Sequence, residues 1–294
     1  MTDAITIRQL TDYKDLLACE KLQVEAWKMT GDRDVVPAHM LSPIVENGGV
    51  VMGAVNGQGQ IVGFVFGFVG RIHDERAGWI GSPYIFCSEM MGVLPEYRSA
   101  AVGTRLKLAQ RDYALAQGYK LMTWTYDPLL SLNARLNIAK LGCIVRRYVR
   151  DAYGEMGGIY AGLSTDRFAV EWWLASQRVE SALAADSSPT LADWLSQGLS
   201  VINSPSQPSD QLLAPGDYDL SAAPESFLVQ IPAHFQTLKA LDFAIAKSWR
   251  DHTRALFEEA FAHGHVITGF AGPDYLSSYY YLTRSIDVSV LAKE

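Results

Sequence analysis

This chain is poor in the residues that most binding chemistries rely on. It has only three cysteines in 294 residues, Cys19, Cys87 and Cys143, far apart and odd in number. That argues against a disulfide framework and leaves no C-x-x-C pair for zinc; a reduced, cytoplasmic setting fits best. Positive charge is scarce as well: 25 Lys and Arg stand against 32 Asp and Glu, for a formal net charge of −7. A general nucleic-acid binder needs a basic face, so small molecules and proteins are the expected partners. Long apolar runs are missing. The most apolar one, IVGFVFGFVG from Ile61 to Gly70, is too short to span a bilayer as a helix and reads as a buried strand. The start, MTDAITIRQL, lacks the basic-then-apolar order of a signal peptide. No G-x-G-x-x-G and no G-K-[ST] is present for a nucleotide loop.

Apolar residues make up 49% of the chain, enough for a substantial core in one large domain or two medium ones. The pattern predicts a strand in AITIRQL, a helix through YKDLLACEKLQVEAW and a short helix in PAHMLSPIVENGG. It then predicts a hairpin turning at Asn56-Gly57, with RIHDERAG as a solvated loop beyond it. SPYIFCSEMMGVL is the next strand, followed by a helix to Gly118, the strand YKLMTWTY and the helix LSLNARLNIAKLG. Two further strands lie in CIVRRYVRDAY and RFAVEWWLA. The implied fold is α/β (α+β), a mixed sheet flanked by helices, with a helical crossover making the YIFCSEMMGV and KLMTWTY strands parallel neighbours. From 175 to 225 the texture turns to a helix and a Pro/Ser-rich linker. Order returns over 226–294 with SFLVQIP, one long helix from Phe235 to His263 and two last strands.

One stretch carries chemistry. PEYRSAAVGTRL, Pro95 to Leu106, runs from a strand through small residues into a helix. A helix N-terminus has unpaired N–H groups and partial positive charge, which suits a phosphate, and Arg98 adds a full charge. The alanine at 101 stands where such a loop commonly has glycine. If Ala101 lies inside the first helical turn its φ is negative, and alanine there is an excellent helix former.

The stretch GVLPEYRSAAVGTRLKLAQRDYALAQGY resembles the acyl-CoA loop of the GNAT superfamily of N-acyltransferases. That loop reads [R/Q]-x-x-G-x-[G/A] after a strand ending V-x-P-x-Y; Val93, Pro95, Tyr97, Arg98 and Gly103 match, and Ala101 departs. The order of elements over 1–174 is similar too. TWTYDPLLSLNARLNIAKLG and YGEMGGIYAGLSTDR further resemble a longer bacterial branch of predicted acetyltransferases. The resemblance implies a sheet splayed between SEMMGV and LMTWT. It implies pantetheine paired to backbone from Met91 to Val93, and a pyrophosphate on the N–H groups of Arg98, Ser99, Ala101, Val102, Gly103 and Thr104. The donor it implies is acetyl-CoA or another acyl-CoA, with no metal.

For the chemistry itself, Glu89 on the central strand is the candidate base for a protonated amine. The tyrosine that many members use to protonate the leaving sulfur falls at Ile138 here. Tyr126, Tyr148 and Tyr153 are substitutes, Tyr153 first, and the thiol is acidic enough that an acid is dispensable. Asn133 and Asn137, one helical turn apart, suit the amides of pantetheine or form a plain polar face. Glu155, Asp166 and Arg167 could grip an amine or carboxylate. His263 and His265 at a helix end, and Trp172 and Trp173, read as structural.

The 226–294 region echoes the first part: AFAHGHVITGF is similar to ALAQGYKLMTWT, which suggests a second, partial GNAT-like α/β unit without a phosphate loop. The function expected is transfer of an acyl group from acyl-CoA to a small-molecule amine such as an amino acid, with no nucleic acid and no membrane involved and homodimer formation left open. The alternative, motivated by Ala101 and the missing tyrosine, is a non-catalytic acyl-CoA sensor or scaffold.

Overall fold

A computed structural model describes residues 4–27, 34–154, 161–222 and 224–292. Strand β1 (Thr6–Gln9) leads into α1 (Tyr13–Trp27), where Leu16, Cys19, Leu22 and Ala26 recur at helical spacing and form its buried stripe. After α2 (Ala38–Glu46), β2 (Val50–Val55) and β3 (Ile61–Arg71) make the predicted hairpin. Its turn is set by the Asn56 side chain, which accepts from the backbone N–H groups of Gln58 at 3.1 Å and Gln60 at 2.9 Å. The loop expected at RIHDERAG instead contains α3 (Glu75–Ile80), N-capped by Asp74 and closed by Gly81 in the left-handed region at φ 68°.

Then come β4 (Tyr84–Val93), a 3₁₀ helix (Pro95–Ala100), α4 (Val102–Ala116) and β5 (Leu121–Tyr126). Helix α5 is α-helical only over Ser131–Ala134 and continues as a π helix over Arg135–Lys140. β6 (Ile144–Val149) and β7 (Arg167–Trp173) follow. The Ser- and Pro-rich stretch holds α6 (Gln177–Ala184), α7 (Leu191–Ser196) and a small hairpin of β8 (Ser206–Ser209) and β9 (Leu212–Ala214). The last part is β10 (Ser226–Pro232), α8 (Phe235–Leu241), α9 (Phe243–Ala262), β11 (Val266–Asp274), β12 (Ser277–Thr283) and α10 (Val288–Leu291). The single long helix expected from Phe235 is two, because Asp242 leaves helical geometry to cap α9, its carboxylate accepting from Ile245 N–H at 2.9 Å.

Among the described residues ten strands form one mixed sheet, in the order β1-β2-β3-β4-β5-β7-β6-β11-β12-β10. Every described pairing within it is antiparallel except β4 with β5, the pair that α4 connects. The sheet's main core face carries Phe86, Met122, Phe168, Val170 and Trp172, together with α4 residues Val102 and Leu106 and α9 residues Trp249 and Phe257. On the other face, α1 and α2 cover β3, while α3 and α10 cover the lower ends of β5 and β7.

The later strands are fastened to the first part by buried polar groups at the end of β5. Arg250 of α9 grips Asp127 with two hydrogen bonds of 2.9 and 2.6 Å, both side chains nearly inaccessible. Tyr280 donates to Pro128 O at 2.8 Å, and Ser131 Oγ donates to Pro232 O at 3.2 Å. β10 and β11 do not pair with each other as β4 and β5 do, because β12 lies between them.

Candidate active site

β4 and β5 pair only at Phe86–Met122 and Cys87–Thr123. β4 then runs on to Val93 and β5 to Tyr126 without further pairing, so the two strands form a fork. A bulge accompanies the opening. Ser88 faces Gly67 and Met90 faces Phe66 on β3, which leaves Glu89 as the extra residue. The fork-side backbone groups of β4 beyond Cys87 thus have no strand partner in β5.

The loop that follows β4 is wound as a 3₁₀ helix and ends in a kink at Ala101, with φ 53° and ψ 21°. The expectation of a negative φ is therefore corrected: alanine occupies the left-handed region that favours glycine. The position is also the N-cap of α4, and no side chain caps it. The first N–H groups of α4, from Val102 to Thr104, are left for another acceptor. Tyr97 holds the loop in place by hydrogen bonding to Asn56 in the β2–β3 turn at 3.2 Å. Arg98 donates to Val93 O at 3.2 Å and Ala26 O at 2.6 Å, and among the described residues it has no carboxylate partner.

Inside the fork, on the α4 side, lies a residue that the sequence reading missed. Lys107 is only 3% exposed. Its Nζ donates to Ser88 Oγ at 2.7 Å and sits 3.5 Å from the centre of the Trp124 ring, spanning the fork one residue past its last paired position. Ser88 in turn donates to Gln110 Oε1 at 2.7 Å. Burial pulls the Lys107 amine down to about 7. Gly103 lies one helical turn earlier, and a Cβ there would meet Met91 at 3.4 Å, so Gly103 and Lys107 both face β4. The stripe Gly103, Lys107, Gln110, Ala114 follows helical spacing and could have been read as the sheet-facing side of α4.

On the opposite face of the fork, Glu89 is exposed, yet the surrounding strands desolvate its carboxyl enough to raise its pKa. Across from it, Thr125 of β5 shares a 2.8 Å hydrogen bond with the Tyr153 hydroxyl, and the Arg167 guanidinium lies 5.1 Å from the Tyr153 ring. Glu89 thus reaches this face from β4, Tyr153 from the turn after β6, and Arg167, itself buried, from β7.

The remaining candidates separate. Asp166 is buried and accepts from Tyr148 Oη, Asp151 N–H, and Arg254 Nε and NH2, each at 2.8 or 2.9 Å. Burial alone would raise its pKa, but these donors overcome it and hold the carboxyl below its usual range. Its task here is to fasten α9 to β7. Asn137 is buried and Asn133 half-buried, and the π helix that begins at Arg135 changes their stacking. Ile138 and Tyr126 are interior and Tyr148 is half-buried; Tyr126 hydrogen bonds to Tyr280 and Tyr148 to Asp166. Glu155 lies outside the described residues. His265 sets its ring nitrogens against the carbonyls of Ala260 and Pro224, and Trp172 and Trp173 are core residues. Among the described residues no group of three or more His, Cys, Asp or Glu could hold a metal ion, and no helix is long and apolar enough to cross a membrane.

No protein-family model and no curated protein matches this chain. Among solved structures, it is similar to a GNAT superfamily phosphinothricin acetyltransferase from Sinorhizobium meliloti in complex with AcCoA. The identity is 17% over 57% of this chain and 86% of that one, at a TM-score of 0.44. It is similar to NAA60 from Arabidopsis thaliana in complex with acetyl-CoA, at 15% identity over 58% and 98% of the two chains and a TM-score of 0.47. An acetyltransferase of the GNAT family from Streptococcus pneumoniae aligns at 14% identity over 57% and 98%, with a TM-score of 0.44. The fork, the bulge at Glu89 and the kink at Ala101 are features of this chain's own geometry.

Proposed function

We propose that this protein transfers an acyl group from acyl-CoA, acetyl-CoA in the first instance, to the amine of a small molecule such as an amino acid. The observation that carries the reading is the fork. It joins an uncapped helix N-terminus, beside an arginine that no described carboxylate neutralises, to a gap edged by unpaired strand backbone. The residues fit such a donor. N–H groups of Val102, Gly103 and Thr104 with Arg98 would take the pyrophosphate, and the free edge of β4 from Met91 to Val93 would take the pantetheine amides. The thioester then lies at the fork's apex. The acceptor enters from the opposite face, where Glu89, with its raised pKa, takes the proton of the attacking amine. Tyr153 lines that entrance, with the buried Arg167 behind its ring. The solved acetyltransferases similar to this chain include ones in complex with acetyl-CoA, in keeping with the reading.

Thermal denaturation with and without acetyl-CoA tests donor binding, and thiol release over a panel of amines tests transfer. Arg98→Ala should weaken binding roughly tenfold to a hundredfold, the worth of one charge-assisted phosphate contact. No thermal shift at millimolar acetyl-CoA would overturn the reading. A second reading, a non-catalytic acyl-CoA sensor, is favoured by the strained Ala101 at the loop and by the buried Ile138. It would show itself as binding with no thiol release on any amine.

A further inference from the structure

Lys107 is a cation without an anion. Buried ammonium groups are normally paired with carboxylates, yet among the described residues the one titratable side chain that acts on it is the Cys143 thiol, which burial holds in its neutral form. An ammonium has three N–H donors. Ser88 Oγ takes one and the Trp124 face attracts the group, but no other acceptor among the described residues bonds to it. The chain spends a desolvated cation at one point, the apex of the fork, on the side that faces α4 and its N-terminus. In acyl transfer from a thioester, the anion that forms and departs is a thiolate.

Resting on the acyl-CoA reading above, we propose that Lys107 is a catalytic residue, the cation that receives the leaving thiolate of the acyl donor. The acceptor nitrogen attacks the thioester carbonyl and the C–N bond forms. The C–S bond breaks with its electron pair going to sulfur, and the thiolate is held as an ion pair with the Lys107 ammonium. The proton lost by the nitrogen passes to Glu89 and on to solvent, and CoA takes one proton from solvent as it leaves as the thiol. The assignment gives the leaving sulfur a partner that Ile138 cannot be, and it divides the work across the sheet: the cation on the α4 face, the base on the other. A thiolate beside the buried amine favours its charged form, and the ammonium favours the thiolate in turn. Trp124 and Ser88 hold the amine at the apex, and Gln110 orients Ser88.

The test titrates CoA itself bound to the whole protein. Thiolate is followed by its ultraviolet absorbance across pH, for free CoA, CoA on the native protein and CoA on Lys107→Met. Binding is monitored in parallel by thermal shift. The proposal expects the bound thiol to ionise at least one pH unit below free CoA, a tenfold change in thiolate fraction, with the shift lost in Lys107→Met. Should the variant not fold, the native comparison with free CoA stands alone. Binding with no displacement of the thiol titration would overturn the role of Lys107 while leaving the acyl-CoA reading intact. No binding at all would overturn both.

Discussion

Ala101→Gly should make this protein more stable. Ala101 is held at φ 53° between the 3₁₀ helix and α4, where an L-residue crowds its Cβ against the backbone. That conformation costs alanine roughly 1–2 kcal/mol. Glycine adopts it freely, but it has more backbone entropy to lose on folding, roughly 0.5–1 kcal/mol relative to alanine. Glycine is also a better N-cap residue than alanine. The balance favours glycine by about 1 kcal/mol, seen as a higher denaturant midpoint at unchanged slope and a melting temperature about 2–4 °C higher. Because the kink leads directly to the first N–H groups of α4, acetyl-CoA affinity should hold or improve. A variant less stable than the native protein by roughly 0.5–1 kcal/mol would refute the reasoning, since that is the penalty of glycine inside an ordinary helical turn.

Other consequences follow from the buried charges. Arg250→Ala leaves Asp127 nearly inaccessible with the Leu129 N–H at 2.9 Å and Arg167 at 3.9 Å, and should cost about 3–5 kcal/mol in chemical denaturation; a loss under 1 kcal/mol would contradict a buried pair. Lys107 should give stability a slope with pH. Its amine is lowered from 10.5 to about 7 on folding. Below pH 7 both states carry the proton and the full cost of burying it stands. Between about 7 and 10 the unfolded chain holds more protons, so native stability rises with pH. Lys107→Met should be more stable than the native protein at pH 7, and its advantage should shrink as pH rises; a gap independent of pH would exclude a buried titrating amine. Truncation after Trp173 removes the partners of Asp127, Asp166 and Phe168 and should give an aggregating fragment; a soluble fragment that binds acetyl-CoA would show the later strands to be dispensable.

Much of the sheet was legible because its strands are marked by strong signals: the Asn56 turn, the apolar run from Ile61 and the crossover between YIFCSEMMGV and KLMTWTY. The helices that were missed had their signals in unpromising company. Asp74 and Gly81 bracket α3 inside a charged stretch, and the Thr190–Asp193 capping box of α7 sits in Ser/Pro-rich sequence. The phosphate-loop candidate was legible in composition but not in conformation. Alanine argues for a helical φ, and only the preceding 3₁₀ turn, which enters α4 at an angle, forces the left-handed one. The π register after Arg135 leaves no mark in residue type. Lys107 escaped because lysine on a helix normally lies in water; its burial depends on where Ser88 and Trp124 arrive from two other strands.

A crystal structure of the protein with CoA is the most direct test of an acyl-CoA donor in the β4–β5 fork. The expected result is the pyrophosphate on the N–H groups at Val102–Thr104, the pantetheine along β4 from Met91 to Val93 and the sulfur between Ser88 and Trp124, within hydrogen-bond reach of Lys107 Nζ. CoA bound elsewhere on the molecule, or a fork that stays closed around Lys107 at saturating CoA, would contradict it.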